Sequence, residues 1–190
     1  MVGIALKSAL MKYVKSKEFI SVFGDSGDWD KFSLGTLSII SDSWYVLSSY
    51  SKLGDWDGYE IRPTSEIQKF QAGGKYEKFI ESIIDDTRDN EGRSSLSFPP
   101  GVSPVQFALN LSKEKRVPIQ VWGSDSSISE IGVVDEVKEG VLWLRIVDRY
   151  GKFDAKMVMA VEEISAINIW SRELVALESS MQKMAEVIPM

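Results

Sequence analysis

Asp25, Asp28 and Asp30 fall within the six residues DSGDWD. Three carboxylates at that density supply the hard oxygen donors a divalent cation prefers. A helix–loop–helix calcium loop, however, wants a glycine at its sixth position and a glutamate at its twelfth. Counted from Asp25, those positions hold Asp30 and Thr36. The pattern fails. Residues 25–30 read as a solvated acidic loop, with an irregular cation site as the alternative, and no metal site is expected.

Other chemistry is limited by what the chain lacks. It contains no histidine and no cysteine. The first absence removes the usual general base near neutral pH and the commonest metal ligand. The second removes thiol nucleophiles, thiolate metal sites and disulfides. A hydrolase would need paired carboxylates or a Ser-Lys arrangement, and the adjacent pair Asp85-Asp86 begins a polar stretch that reads as solvated. Neither GxGxxG nor GxxxxGK[ST] occurs, so no phosphate-cradling loop is evident. The expectation is a protein that is not an enzyme, needs no cofactor and shows no evident small-molecule substrate.

Charge points the same way. The formal net charge is −6 over 190 residues, and an acidic chain repels the nucleic-acid backbone unless its basic residues are sorted onto one face. Lys7, Lys12, Lys15 and Lys17 are such a group, read here as a solvated helix face. No apolar run approaches the roughly 18 residues of a membrane span, and Lys7 and Lys12 interrupt the apolar start. A cytoplasmic protein is expected.

The elements that carry these residues are organised by an internal repeat. With an offset of 97, residues 35–82 align with 132–179 without a gap, and eight positions are identical, Gly35/Gly132, Leu47/Leu144, Gly54/Gly151 and Ile67/Ile164 among them. Chance would give roughly three at average residue usage. Upstream the offset becomes 99, pairing Ile20 with Ile119 and Phe23-Gly24 with Trp122-Gly123. The two-residue difference falls in one loop, as expected of two copies of one fold. The predicted units are residues 1–86 and 104–190, joined by a polar linker over 87–103.

Each unit reads as helix, five short strands and helix. In the second, Ser103-Pro104 carries helix-start chemistry for a helix over Pro104–Lys115. Strand-like runs follow at PIQVW, IGVVDEV, VLWLRIV, KMVMAV and ISAINIW, with one helical turn before the last. A final helix begins near Ser171. The first unit repeats this order from a helix over Ile4–Ser16 to one over 75–84. The fold class is mainly β with flanking helices.

A helix followed by five short antiparallel strands, with a helical turn before the fifth, resembles the Sm-like small barrel. Gly35-Thr36-Leu37 and Gly132-Val133-Val134 look like its glycine-bearing second strand, and Asp42 and Glu139 like its acidic turn. The resemblance implies two tandem five-stranded SH3-like barrels that associate edge to edge. It also implies RNA binding, but the Asn expected after the acidic turn is missing from both DSWYV and EGVLW, so no RNA-binding residue is carried over. The expected function is therefore a non-enzymatic interaction module that binds a protein partner or itself, with RNA binding as the alternative.

The second GDWD, at residues 54–57, then reads as turn chemistry, with Asp57-Gly58 as a hairpin pair. The first is a copy-specific insertion. Their aromatics are the candidate partner contacts: Trp29 in the inserted loop, and Trp56 and Phe153 at equivalent hairpin positions, where each ring either covers its own barrel or anchors a partner. Trp44, Trp122, Trp143 and Trp170 sit in strand-like context and read as core or barrel–barrel contacts.

Overall fold

The computed structural model describes residues 4–24, 32–84, 96–99, 101–124 and 129–187. The chain divides into two units, Met1–Pro104 and Val105–Met190. The protein is mainly β, with helices flanking the strands.

In the first unit, helix α1 (Ile4–Ser16) precedes strands β1 (Phe19–Phe23), β2 (Ser33–Ile40), β3 (Trp44–Tyr50) and β4 (Trp56–Pro63). A 3₁₀ turn at Thr64–Glu66 leads to β5 (Lys69–Ala72), and α2 (Lys75–Ile83) follows. All pairings are antiparallel, and the order within the unit is β5-β1-β2-β3-β4. Helix α1 forms because Leu6, Leu10, Tyr13 and Val14 recur at helical spacing. That stripe packs on Ile20, Val22, Leu37, Leu47 and Ile67. Burying each such side chain contributes about 1.5–3 kcal/mol. The helix ends at Lys17, whose positive φ of 55° lets its N–H donate to the Tyr13 carbonyl at 3.0 Å. Under α2 lies a second cluster, Phe19, Leu34 and Ile80.

The second unit consists of α3 (Pro104–Lys115), β6 (Ile119–Gly123), β7 (Ser129–Lys138), β8 (Val141–Val147) and β9 (Phe153–Ala160), then a 3₁₀ turn at Val161–Glu163, β10 (Ile164–Ile169) and α4 (Arg172–Val187). Its strand order, β10-β6-β7-β8-β9, matches that of the first unit position for position. The local irregularities match as well. Register shifts fall between Leu37 and Ile39 in β2, and between Val134 and Glu136 in β7, an offset of 97. Leu47 and Leu144 are both buried, as are Ile67 and Ile164. Arg116, at φ 58°, ends α3 as Lys17 ends α1.

The structure departs from the sequence reading in four places. Within each unit the ladder ends at its fourth and fifth strands, which do not pair with each other among the described residues, so neither set closes into a hydrogen-bonded barrel. Asp57-Gly58 is not the hairpin turn. That turn is at Ser51–Asp55, closed by Ser51 N–H to the Asp55 carbonyl at 2.8 Å. Gly58 lies inside β4 at φ 81°, where three steps of β4 oppose two of β3, and its freedom at positive φ forms the bulge. Residues 96–99 of the expected linker pack on the first unit: the Leu96 N–H donates to the Tyr59 hydroxyl at 3.0 Å, and Phe98 meets the Tyr59 ring edge-on at 5.6 Å between centroids. Finally, Trp44, Trp122, Trp143 and Trp170 are half-buried and lie outside the fully buried core, in which Phe19, Phe23, Tyr45, Trp56 and Tyr59 accompany the aliphatic side chains.

Candidate interaction surface

The β8–β9 hairpin of the second unit turns at Asp148–Lys152. Asp148 Oδ1 accepts the N–H groups of Tyr150 and Lys152, each at 2.9 Å, which fixes the turn with one side chain. Gly151 stands at φ 85° against α4. A Cβ there would come within 3.1 Å of the Met184 methyl and 3.2 Å of the Met181 nitrogen, so only glycine lets the hairpin tip approach the helix this closely. Between tip and helix runs a groove of about 510 Å³, walled by Phe153, Met181 and Met184 and rimmed by Arg116 and Lys152.

Phe153 is 48% exposed. The Arg145 guanidinium lies 4.0 Å from its ring centre. Arg145 is held in turn by Asp135 at 2.9 Å, which also meets Arg116 at 3.8 Å. The stack is thus anchored by a carboxylate on β7, and the aromatic face and the cations are presented together. Met181 and Met184 add polarizable, flexible contact area.

Strand β9 itself pairs with β8 on one side and with nothing on the other among the described residues. Phe153 and Val158 (57% exposed) are large apolar side chains left on it. An eight-residue strand with a free edge is a template for a further strand.

Trp56 occupies the position equivalent to Phe153 but is not an exposed anchor. It is buried, donates Nε1–H to Ser48 Oγ at 2.9 Å, and packs edge-on against Tyr59. Trp29 and the acidic loop 25–30 lie outside the described residues. Among the described residues no group of three or more Asp, Glu, His or Cys is placed to hold a metal ion. The N-terminal lysines are partly engaged within the unit: Lys7 forms an ion pair with Asp42, Lys12 sits 5.2 Å from the Tyr13 ring centre, and Lys17 reaches the Leu37 carbonyl at 3.4 Å. Among the described residues no helix is long and apolar enough to cross a membrane.

From the sequence alone, Arg116, Arg145, Lys152, Met181 and Met184 have no role beyond their place in the expected elements. The signal was available in the repeat: Arg145 stands where the first unit has Ser48, and Ser180 where it has Ile83. Compared with known protein families, curated proteins and solved structures, the chain matches none.

Proposed function

We propose that this protein is a non-enzymatic interaction module built from two copies of one Sm-like, open small barrel. In this reading the second unit receives another polypeptide as a strand along β9. The Phe153–Met181–Met184 groove takes an apolar side chain of the incoming segment. The single observation that carries the reading is the edge of β9, unpaired among the described residues, which bears exposed Phe153 and Val158, with Phe153 lining an apolar groove. Main-chain hydrogen bonds would supply affinity there, and the groove would supply selectivity. The matching strand order, bulge positions and helix ends of the two units support the duplication.

The test compares the wild-type chain with a Phe153→Ala/Val158→Lys double variant. Both are used to capture partners from lysate with and without nuclease, and both are sized by light scattering over a range of concentrations. A protein recovered after nuclease by the wild type and lost by the variant supports the reading. So does concentration-dependent self-association that the variant abolishes. Equal recovery by both chains, or recovery only of nucleic acid that salt removes, overturns it.

A further inference from the structure

A second cavity, of about 700 Å³, opens on the first unit between β1, β5 and α2. Its wall includes Glu77, only 2% exposed, beside Ser21, 1% exposed. Ser21 Oγ–H donates to Glu77 Oε1 at 2.5 Å, and Gln71 Nε2–H donates to Oε2 at 3.4 Å. Both partners are neutral, and no lysine or arginine pairs with Glu77 among the described residues. A buried carboxylate with neutral side-chain partners costs stability, offset in part here by its place in the first turn of α2.

The fold does not require that cost. At the offset of 97, the second unit places Leu174 at the position of Glu77, and Leu174 is 1% exposed. The same helix position is therefore filled by an ordinary aliphatic core residue in one unit and by a carboxylate facing a cavity in the other. The two helix starts differ as well: Ser171 Oγ accepts the Leu174 N–H at 3.4 Å, whereas Gly74 offers α2 no side-chain cap and Glu77 stands in the first turn, a favourable place for a carboxylate that here also faces the cavity.

The rest of the lining restricts the ligand. Lys52 and Lys69 line the same cavity, with Lys69 Nζ 4.2 Å from the Phe23 ring centre. Phe32 and Tyr76, edge to face at 5.6 Å, form an apolar wall. A simple anion would meet the buried carboxylate, and a simple cation would pass two ammonium groups carried on exposed side chains. A molecule carrying both charges satisfies both. We propose that this cavity binds a small zwitterion of the amino-acid class. Its ammonium makes a charge-assisted hydrogen bond to Glu77, its carboxylate lies toward Lys52 and Lys69, and its side chain rests against Phe32 and Tyr76. The site is in the other unit from β9 and does not depend on the interaction reading.

The test titrates the full chain with the common amino acids, by calorimetry and by thermal shift. The compound that binds is then replaced by its amine analogue lacking the carboxylate and its acid analogue lacking the amine. At least one amino acid should bind and raise Tm, and removing either charge should weaken binding by about tenfold or more. Glu77→Leu, copying the second unit, should abolish binding with Tm unchanged or raised. Glu77→Gln, whose amide oxygen can accept from Gln71 while its NH2 donates to the Ser21 hydroxyl, should fold normally and bind about tenfold more weakly. No binding by any amino acid at roughly 10 mM overturns the proposal. So does undiminished binding by Glu77→Gln, or a lowered Tm in Glu77→Leu, which would make the carboxylate a structural brace.

Discussion

Ser48 and Trp56 are joined by an indole N–H to hydroxyl hydrogen bond of 2.9 Å, and 97 positions later the same two places hold Arg145 and Phe153, joined by a guanidinium 4.0 Å from the ring centre. One pair closes a wall and the other opens a surface. A small hydroxyl leaves room for the indole to lie inward, where it is 8% exposed. A guanidinium is too large and too polar to bury the same way, so the ring stays out beneath it, 48% exposed.

The exchange predicts opposite outcomes for one substitution. Trp56→Ala removes a buried ring, its hydrogen bond and its contact with Tyr59, and should destabilise the first unit by about 3–5 kcal/mol. Phe153→Ala removes an exposed ring and one cation–π contact, and should cost about 1 kcal/mol or less. Urea unfolding of the two variants checks this. The sequence reading expected both rings to be possible surface anchors, and equal small losses would return Trp56 to that role.

Gly35→Ala and Gly132→Ala should both be severely destabilising, for a steric reason. A Cβ on Gly35 would lie 1.9 Å from the Ser48 carbonyl oxygen, and one on Gly132 2.5 Å from that of Arg145. Each obstacle is backbone of the neighbouring strand and cannot rotate away. Relieving it means parting β2 from β3, or β7 from β8, in the regular stretch just before the bulge of each pair. The expected loss exceeds about 3 kcal/mol at Gly35 and is smaller at Gly132, in the range of overpacked cores. Thermal melts that leave either variant near wild type would show that the strands can separate cheaply.

This glycine pair also shows what a linear reading can and cannot reach. Its recurrence at a fixed spacing, with Leu47/Leu144 and Ile67/Ile164, was enough to align the two units, because buried strand positions tolerate few residue types. Helix α1 was legible to the residue, since Leu6, Leu10, Tyr13 and Val14 form one stripe. Gly58 was misread as half of a turn, because a glycine at positive φ serves a bulge as well as a hairpin, and only the partner strand decides between them. The groove at Phe153 was missed for a related reason. Its parts come from α3, the β8–β9 tip and α4, and no local period links Arg116 to Met184.

Ser112 carries a third prediction. It occupies the core-facing stripe of α3 with Val105, Ala108 and Leu109, and is fully buried. Its hydroxyl donates to the Val117 carbonyl at 2.8 Å and accepts the Val134 N–H at 3.0 Å. One side chain thus ties the end of α3 to the bulge of β7. Ser112→Ala leaves both backbone groups buried without that partner, and should cost about 1–3 kcal/mol. Ser112→Val, a methyl group bulkier and without the hydroxyl, should be no better. Rescue by valine would show that packing, not hydrogen bonding, sets the position.

Tyr45 carries the pH dependence. Its ring belongs to the core beneath α1 and is 4% exposed. Burial pushes its phenol well above the ordinary tyrosine range; the nearby Glu60 carboxylate adds to this, and the Arg62 guanidinium opposes it. A group whose acid form is favoured by folding weakens the fold once it would ionise in the unfolded chain. Below about pH 10 the phenol is protonated in both states and contributes no pH dependence. As pH climbs from there toward the raised folded value, the unfolded chain releases the proton first, and stability falls by up to about 1.4 kcal/mol per pH unit. Tyr45→Phe keeps the ring and removes the proton. The second unit shows that this position needs no hydroxyl, since Leu142 stands there, fully buried. The variant should match wild type near neutral pH within about 1 kcal/mol and decline less steeply above about pH 10. Urea midpoints of the two chains across the alkaline range measure the difference directly, and parallel curves would mean that the hydroxyl ionises within the folded protein as easily as outside it.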